Sequence, residues 1–187
     1  MRTVRVVLAV LIAVSLPTVL RADRAERIHI ALQGFQEVPS VSTPASGSFN
    51  AKVAEDGKSF DYVLRFDDLV GTVQQSHIHF AQRGVNGSIV VWLCQTATTP
   101  APASVAALTP TCVEGEDIKG TISAANVITA GTASQQILAG EFDEVLAAIR
   151  AGYAYVNVHA TPLNPGGEIR GQFRANRGRD GDHGGRK

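Results

Sequence analysis

The sequence is short of several features, and each shortage narrows what the chain can be. Aromatic residues make up only 6% of it, with a single tryptophan. Its longest apolar run, Val6 to Leu16, has 11 residues. A membrane-spanning helix needs about 20, so this run is short for a span, and an uncleaved anchor stands only as the alternative to a signal peptide. Basic charge is not in excess: 17 Lys and Arg stand against 17 Asp and Glu. Residues 23–173 hold 9 basic against 15 acidic residues. Phosphate backbones are bound by clustered Lys and Arg, so nucleic acid is excluded as a partner. No phosphate-loop pattern surrounds Gly84, Gly87, Gly166 or Gly167, which read as turn residues. No G-x-S-x-G elbow surrounds Ser76.

What is present fits one ordinary domain with removable or flexible ends: 187 residues, 44% hydrophobic, with 18 glycines. Arg2 and Arg5 precede the apolar run, Pro17 breaks it, and Arg21-Ala22-Asp23 follows. This pattern predicts a secretory signal peptide over residues 1–22, leaving no membrane segment after cleavage. The domain then occupies residues 23–175. A Gly-rich charged tail from Asn176 to Lys187 is expected to be disordered, and His183 lies within it. The two cysteines, Cys94 and Cys112, would meet in an oxidising compartment, where a disulfide is the default. Ligation of a metal by one of them is the alternative.

The body reads as β structure. Arg27–Phe35 alternates, with Ile28, Ile30 and Leu32 on one face and His29 on the other. Ser48–Ala54 and Ser59–Phe66 form a hairpin around Glu55-Asp56-Gly57-Lys58. Asp67–Gln75 is expected to be a short connection. Two strands then flank the turn Arg83–Gly87. Asp117–Ser123 is a further strand, Tyr153–Ala160 another, and Glu168–Phe173 closes the set after a turn over Thr161–Gly167. Glu141–Ala151 spaces Phe142, Val145, Leu146 and Ile149 as a helix, with Gly152 as its stop and a possible turn of helix before it at 133–138. The expected fold is all-β, an antiparallel sandwich or Greek-key barrel with one short helix.

The chemistry concentrates in Ser76–Cys94. A strand alternates faces with period two, so His77 and His79 point to one side. His159 sits in the late strand Y-V-N-V-H-A-T-P. Three imidazoles converging on one point would suit copper, or zinc. Asn157 shares the face of His159 and is a candidate supporting residue. Glu168 and Arg170 also share a face, as an ion pair pinning the Pro165-Gly166-Gly167 turn or as an anion site. The bland alternative is that the three histidines are buried architecture, hydrogen-bonded to backbone or carboxylates. Trp92 is expected in the core or at a sheet edge.

The segments L-Q-G-F-Q-E-V-P at 32–39, H-I-H-F-A-Q-R-G-V-N-G-S-I-V-V-W-L at 77–93, and 144–172 with I-R-A-G-Y-A-Y-V-N-V-H-A and P-G-G-E-I-R-G-Q resemble the CHRD family. That resemblance spans roughly 27–174. It implies a secreted or periplasmic all-β domain and little about biochemistry. The order H-x-H, apolar strand, V-x-V-H and G-E-I-R-G also resembles the copper side of copper-zinc superoxide dismutase, a β-sandwich. His77, His79 and His159 would match its copper ligands, and Arg170 is a candidate for its anion-guiding arginine. Its further zinc-side histidines and aspartate have no match. Three functions stay open: a binding module holding copper, a dismutase-like copper enzyme, and a metal-free adhesion or matrix module with a protein or polysaccharide partner.

Overall fold

A computed structural model of the chain describes residues 26–175. The expected signal peptide and the tail from Asn176 lie outside the described residues. The elements are β1 (Arg27–Gln33), β2 (Ser46–Val53), β3 (Ser59–Asp67), β4 (Thr72–Phe80), β5 (Ser88–Cys94), β6 (Ile118–Ser123), α1 (Phe142–Ala151), β7 (Ala154–Thr161) and β8 (Asn164–Gln172). Short 3-10 turns occupy Gly34–Gln36, Ala106–Leu108, Ala124–Asn126 and Ala133–Gln135.

The eight strands form one antiparallel sheet in the order β5-β4-β7-β8-β1-β2-β3-β6. Its two ends approach each other. Val91 of β5 bridges Val127 just beyond β6, and the Ile128 amide donates to the Val90 carbonyl at 3.0 Å. The Tyr62 hydroxyl donates to the Leu93 carbonyl at 2.6 Å across the same gap. The sheet is therefore a nearly closed barrel, and among the described residues α1 is the one α-helix.

Alternation fills the interior. Phe49, Phe60, Tyr62, Leu64 and Phe66 from β2 and β3 are buried together with Ile78, Val156, Val158 and Ile169. Phe49 stacks on Tyr62 at 5.8 Å and meets Phe173 edge-on at 5.7 Å. Helix α1 buries Phe142, Val145, Leu146 and Ile149 against this core. Acidic Asp143 and Glu144 occupy its first turn and Arg150 its last, which suits the helix dipole. Gly152 ends it in the left-handed conformation (φ 79°), where a Cβ would be strained.

Most boundaries shift by one or two residues from the sequence reading, and two shift by four. β4 begins at Thr72, inside the stretch expected to be a connection, because Thr72–Gln75 pair with the end of β7. The β7–β8 turn contracts to Pro162-Leu163, because Ala160 pairs with Asn164 and carries β8 back to that residue. The weakest joint is β1 on β8, recorded through one residue pair, Gln33 with Arg170.

Candidate metal centre

The local sequence dictates which side chains leave the barrel interior. In β4, Ile78 enters the core, so His77 and His79 take the opposite face. In β7, Val156 and Val158 enter it, so Tyr155, Asn157 and His159 point away. In β8, Ile169 enters it, and Arg170 and Gln172 do not. Register then lines these residues up. Trp92, His77, Asn157, Arg170 and Gln33 are successive cross-strand neighbours over five strands. His79, Tyr155 and Gln172 form a second row, and Gln75 faces His159.

This outer layer is not solvated. His77 is fully buried, and His79 and His159 nearly so. Three segments cover it. The stretch after β1 brings in Glu37, and Gln36 Oε1 accepts from the Gln172 amide at 3.3 Å. The 82–87 turn lies over Arg170, whose guanidinium donates to the Val85 carbonyl at 2.9 Å and to Asn86 Oδ1 at 3.1 Å. Asn86 in turn donates to the Val38 carbonyl at 2.9 Å. The third cover is the loop closed by the Cys94–Cys112 disulfide, whose Ala101 and Val105 pack on Trp92.

The expected triad is brought together: one nitrogen each from His77, His79 and His159 lies within 4.8 Å of the others. His79 Nδ1 is 2.9 Å from the Gly87 carbonyl, and His159 Nδ1 is 2.9 Å from the Pro165 carbonyl. A carbonyl only accepts, so both Nδ1 atoms carry hydrogen and both Nε2 atoms present lone pairs. That is the way metal-binding imidazoles are oriented by backbone carbonyls. Neither ring nitrogen of His77 has a partner, nor does His79 Nε2. His159 Nε2 lies 3.1 Å from Asn157 Oδ1, two acceptors face to face. A cation, a proton or a flipped Asn157 amide relieves that contact.

A proton is disfavoured. Burial holds His77 well below the ordinary histidine range, with His159 and then His79 adding to the effect. Burial takes His79 down to about 4, against the raising effect of the Gly87 carbonyl. His159 is lowered by burial, against its bond to Pro165. At neutral pH the site therefore presents three neutral imidazoles.

Aromatic rings wall it. Tyr155 stacks on His79 with centroids 4.6 Å apart and planes within 3°. Trp92 meets His77 edge-on at 4.3 Å. The Arg170 guanidinium lies 3.3 Å above the other face of Tyr155. Arg170 is thus stacked inward and is 1% exposed. Among the described residues Glu168 and Arg170 form no ion pair with each other. Glu168 is instead fully buried, with Oε1 accepting from the Thr43 hydroxyl at 2.5 Å and the Val70 amide at 2.8 Å. Its position ties two connecting segments to β8 rather than pinning a turn through Arg170.

Glu37 is the residue that sequence reasoning missed. It is buried beside Asn157 and Arg170, and its Oε1 has no partner. Burial pushes its carboxyl up to about 7, against the pull of Arg170 and the bonds from the Val38 amide and Asn157. The segment L-Q-G-F-Q-E-V-P flagged the stretch but carried no chemical meaning. Gly167 makes room for this carboxyl: at φ 128° it is left-handed backbone, and a Cβ there would overlap Glu37 Oε1. His29 lies elsewhere, exposed and bonded to Asn50 at 2.7 Å.

The CHRD domain family model matches residues 28–173. The chain belongs to the CHRD domain family. That match takes in every described residue of the histidine cluster, Glu37 and both cysteines. No curated protein and no solved structure matches the chain. The paired cysteines suit a compartment outside the reducing cytoplasm. Among the described residues no helix is long and apolar enough to cross a membrane.

Proposed function

We propose that this CHRD domain is a secreted or periplasmic binding module that holds one transition-metal ion, copper first and zinc second, through His77, His79 and His159. One observation carries the reading: buried imidazole nitrogens without partners face one another. Leaving a buried polar atom unsatisfied costs about 1–3 kcal/mol. Here His77 Nδ1, His77 Nε2 and His79 Nε2 all lack partners within one cluster. A metal ion accepts several lone pairs at once, which suits imidazole nitrogens that converge. The disulfide and the predicted signal peptide support export.

The dismutase-like reading asks for an ion that superoxide can reach. The unpartnered nitrogens have no solvent contact, and Arg170 is turned into Tyr155, which favours a holding role over turnover. The test is metal uptake by chelator-stripped, tag-free protein beside a His77→Ala/His79→Ala variant, with folding checked by circular dichroism. One equivalent of copper in the wild type, lost in the folded variant, is the expected result. No stoichiometric uptake of copper, zinc or iron by folded protein overturns the proposal and leaves the adhesion or matrix module.

A further inference from the structure

We infer that the centre is built for a monovalent d10 ion, cuprous copper, and discriminates against cupric copper and zinc. The inference rests on the metal reading above and adds the charge and coordination class of the ion.

Donor softness does not decide this, since imidazole serves copper and zinc alike. Charge and donor number do. Among the described residues the converging His, Cys, Asp and Glu donors are three histidines, and the set contains no carboxylate. Asn157 Oδ1, 3.1 Å from His159 Nε2, is the adjacent oxygen and is also neutral. Glu37 lies beside Asn157 and Arg170, outside the converging set, and its carboxyl is held toward the neutral form by burial. Glu168 is bonded to Thr43 and Val70. An ion bound here keeps its whole charge in a buried place. The cost of burying an ion grows with the square of its charge, so a divalent ion is penalised four times as heavily as a monovalent one.

Coordination number points the same way. Zinc asks for four tetrahedral ligands, and cupric copper for a tetragonal set. Three nitrogens walled by Trp92 and Tyr155 fill three positions of either set and leave the fourth to the neutral Asn157 oxygen or to solvent. Three donors each about 2.0 Å from one ion stand about 3.5 Å apart in a trigonal plane. The present limit of 4.8 Å is closed by a contraction of at most about 1.3 Å. Cuprous copper accepts three-coordinate trigonal geometry and needs no water, whereas the divalent ions need a fourth ligand beyond the three histidines.

The experiment is an anaerobic competition titration of the purified, disulfide-intact chain. Cuprous copper is set against bicinchoninate, cupric copper against nitrilotriacetate, and zinc against a chromophoric chelator. One equivalent of cuprous copper, bound at least tenfold more tightly than either divalent ion and displaced by silver(I), is expected. Cupric copper or zinc bound within tenfold of cuprous copper overturns the inference and leaves the metal module standing. Folded protein that binds none of these ions overturns both. Asn157→Asp places a carboxylate beside the donors and is expected to shrink the monovalent preference at least tenfold. An unchanged preference in folded Asn157→Asp refutes the charge argument.

Discussion

Glu37→Gln should change how the metal-free protein responds to acid, and the size follows from two buried groups with opposite signs. His79 titrates near 6.5 when unfolded and about 4 when folded. Between those values the unfolded chain binds more protons. Its contribution to stability is therefore complete above 6.5 and is lost as pH falls. Lowering pH from about 7 to about 4.5 costs roughly 2.5 kcal/mol through this residue. Glu37 runs the other way, with 4.5 unfolded and about 7 folded. The folded chain binds the extra proton, so its contribution is complete below 4.5 and is lost as pH rises through 7. Over the same interval Glu37 adds roughly 2.5 kcal/mol. In the wild type these two offset, and the lowered His77 and His159 leave a net loss on acidification. Glu37→Gln keeps the shape and removes the proton. Its unfolding free energy should fall about 2.5 kcal/mol further than wild type between about pH 7 and pH 4.5. Urea unfolding followed by far-ultraviolet circular dichroism, with chelator present, gives both curves. Parallel curves, diverging by less than about 0.5 kcal/mol, would refute the assignment of Glu37 as a buried carboxyl that protonates near neutrality.

Other perturbations test other parts of the molecule. Trp92 is the sole tryptophan and sits 4.3 Å from His77, so copper uptake should quench its emission and level off at one equivalent. Emission that ignores stoichiometric copper would place the ion elsewhere. Cys94→Ser/Cys112→Ser opens a loop of 18 residues' separation and should cost about 3 kcal/mol in urea unfolding. Tyr62→Phe removes the hydroxyl bonded to the Leu93 carbonyl across the barrel gap, and should cost about 1–2 kcal/mol, since a buried acceptor is left unpaired. Gly167→Ala should destabilise by about 1–3 kcal/mol through its left-handed backbone and the overlap with Glu37. Its thermal midpoint should therefore drop well below that of Gly166→Ala, a position with open space.

Periodicity carried a long way in this chain. Alternation in S-H-I-H-F and Y-V-N-V-H assigned His77, His79 and His159 to faces of their strands, because side-chain direction is a local property of extended backbone. The β2–β3 hairpin, α1 and the Cys94–Cys112 pairing were legible for similar reasons: turn chemistry, helical spacing and a cysteine count of two. Alternation says which residues leave the core. It does not say what covers them. Nothing local indicates that the outward face of β4, β7 and β8 is itself buried.

That second buried layer is the work of tertiary structure. Register across five strands sets Trp92, His77, Asn157 and Arg170 side by side, and register is fixed by long-range pairing that no short window contains. Glu37 reaches Asn157 from a connecting segment 120 positions away in sequence. Arg170 and Glu168 share a strand face, yet each is taken by a different distant partner, Tyr155 and Thr43. The sequence by itself determined the β class, the paired cysteines and the three histidines as a set. Only the fold decided that those histidines are buried and neutral, with both nitrogens of His77 and Nε2 of His79 left without a protein partner, because desolvation depends on the segments that close over a site.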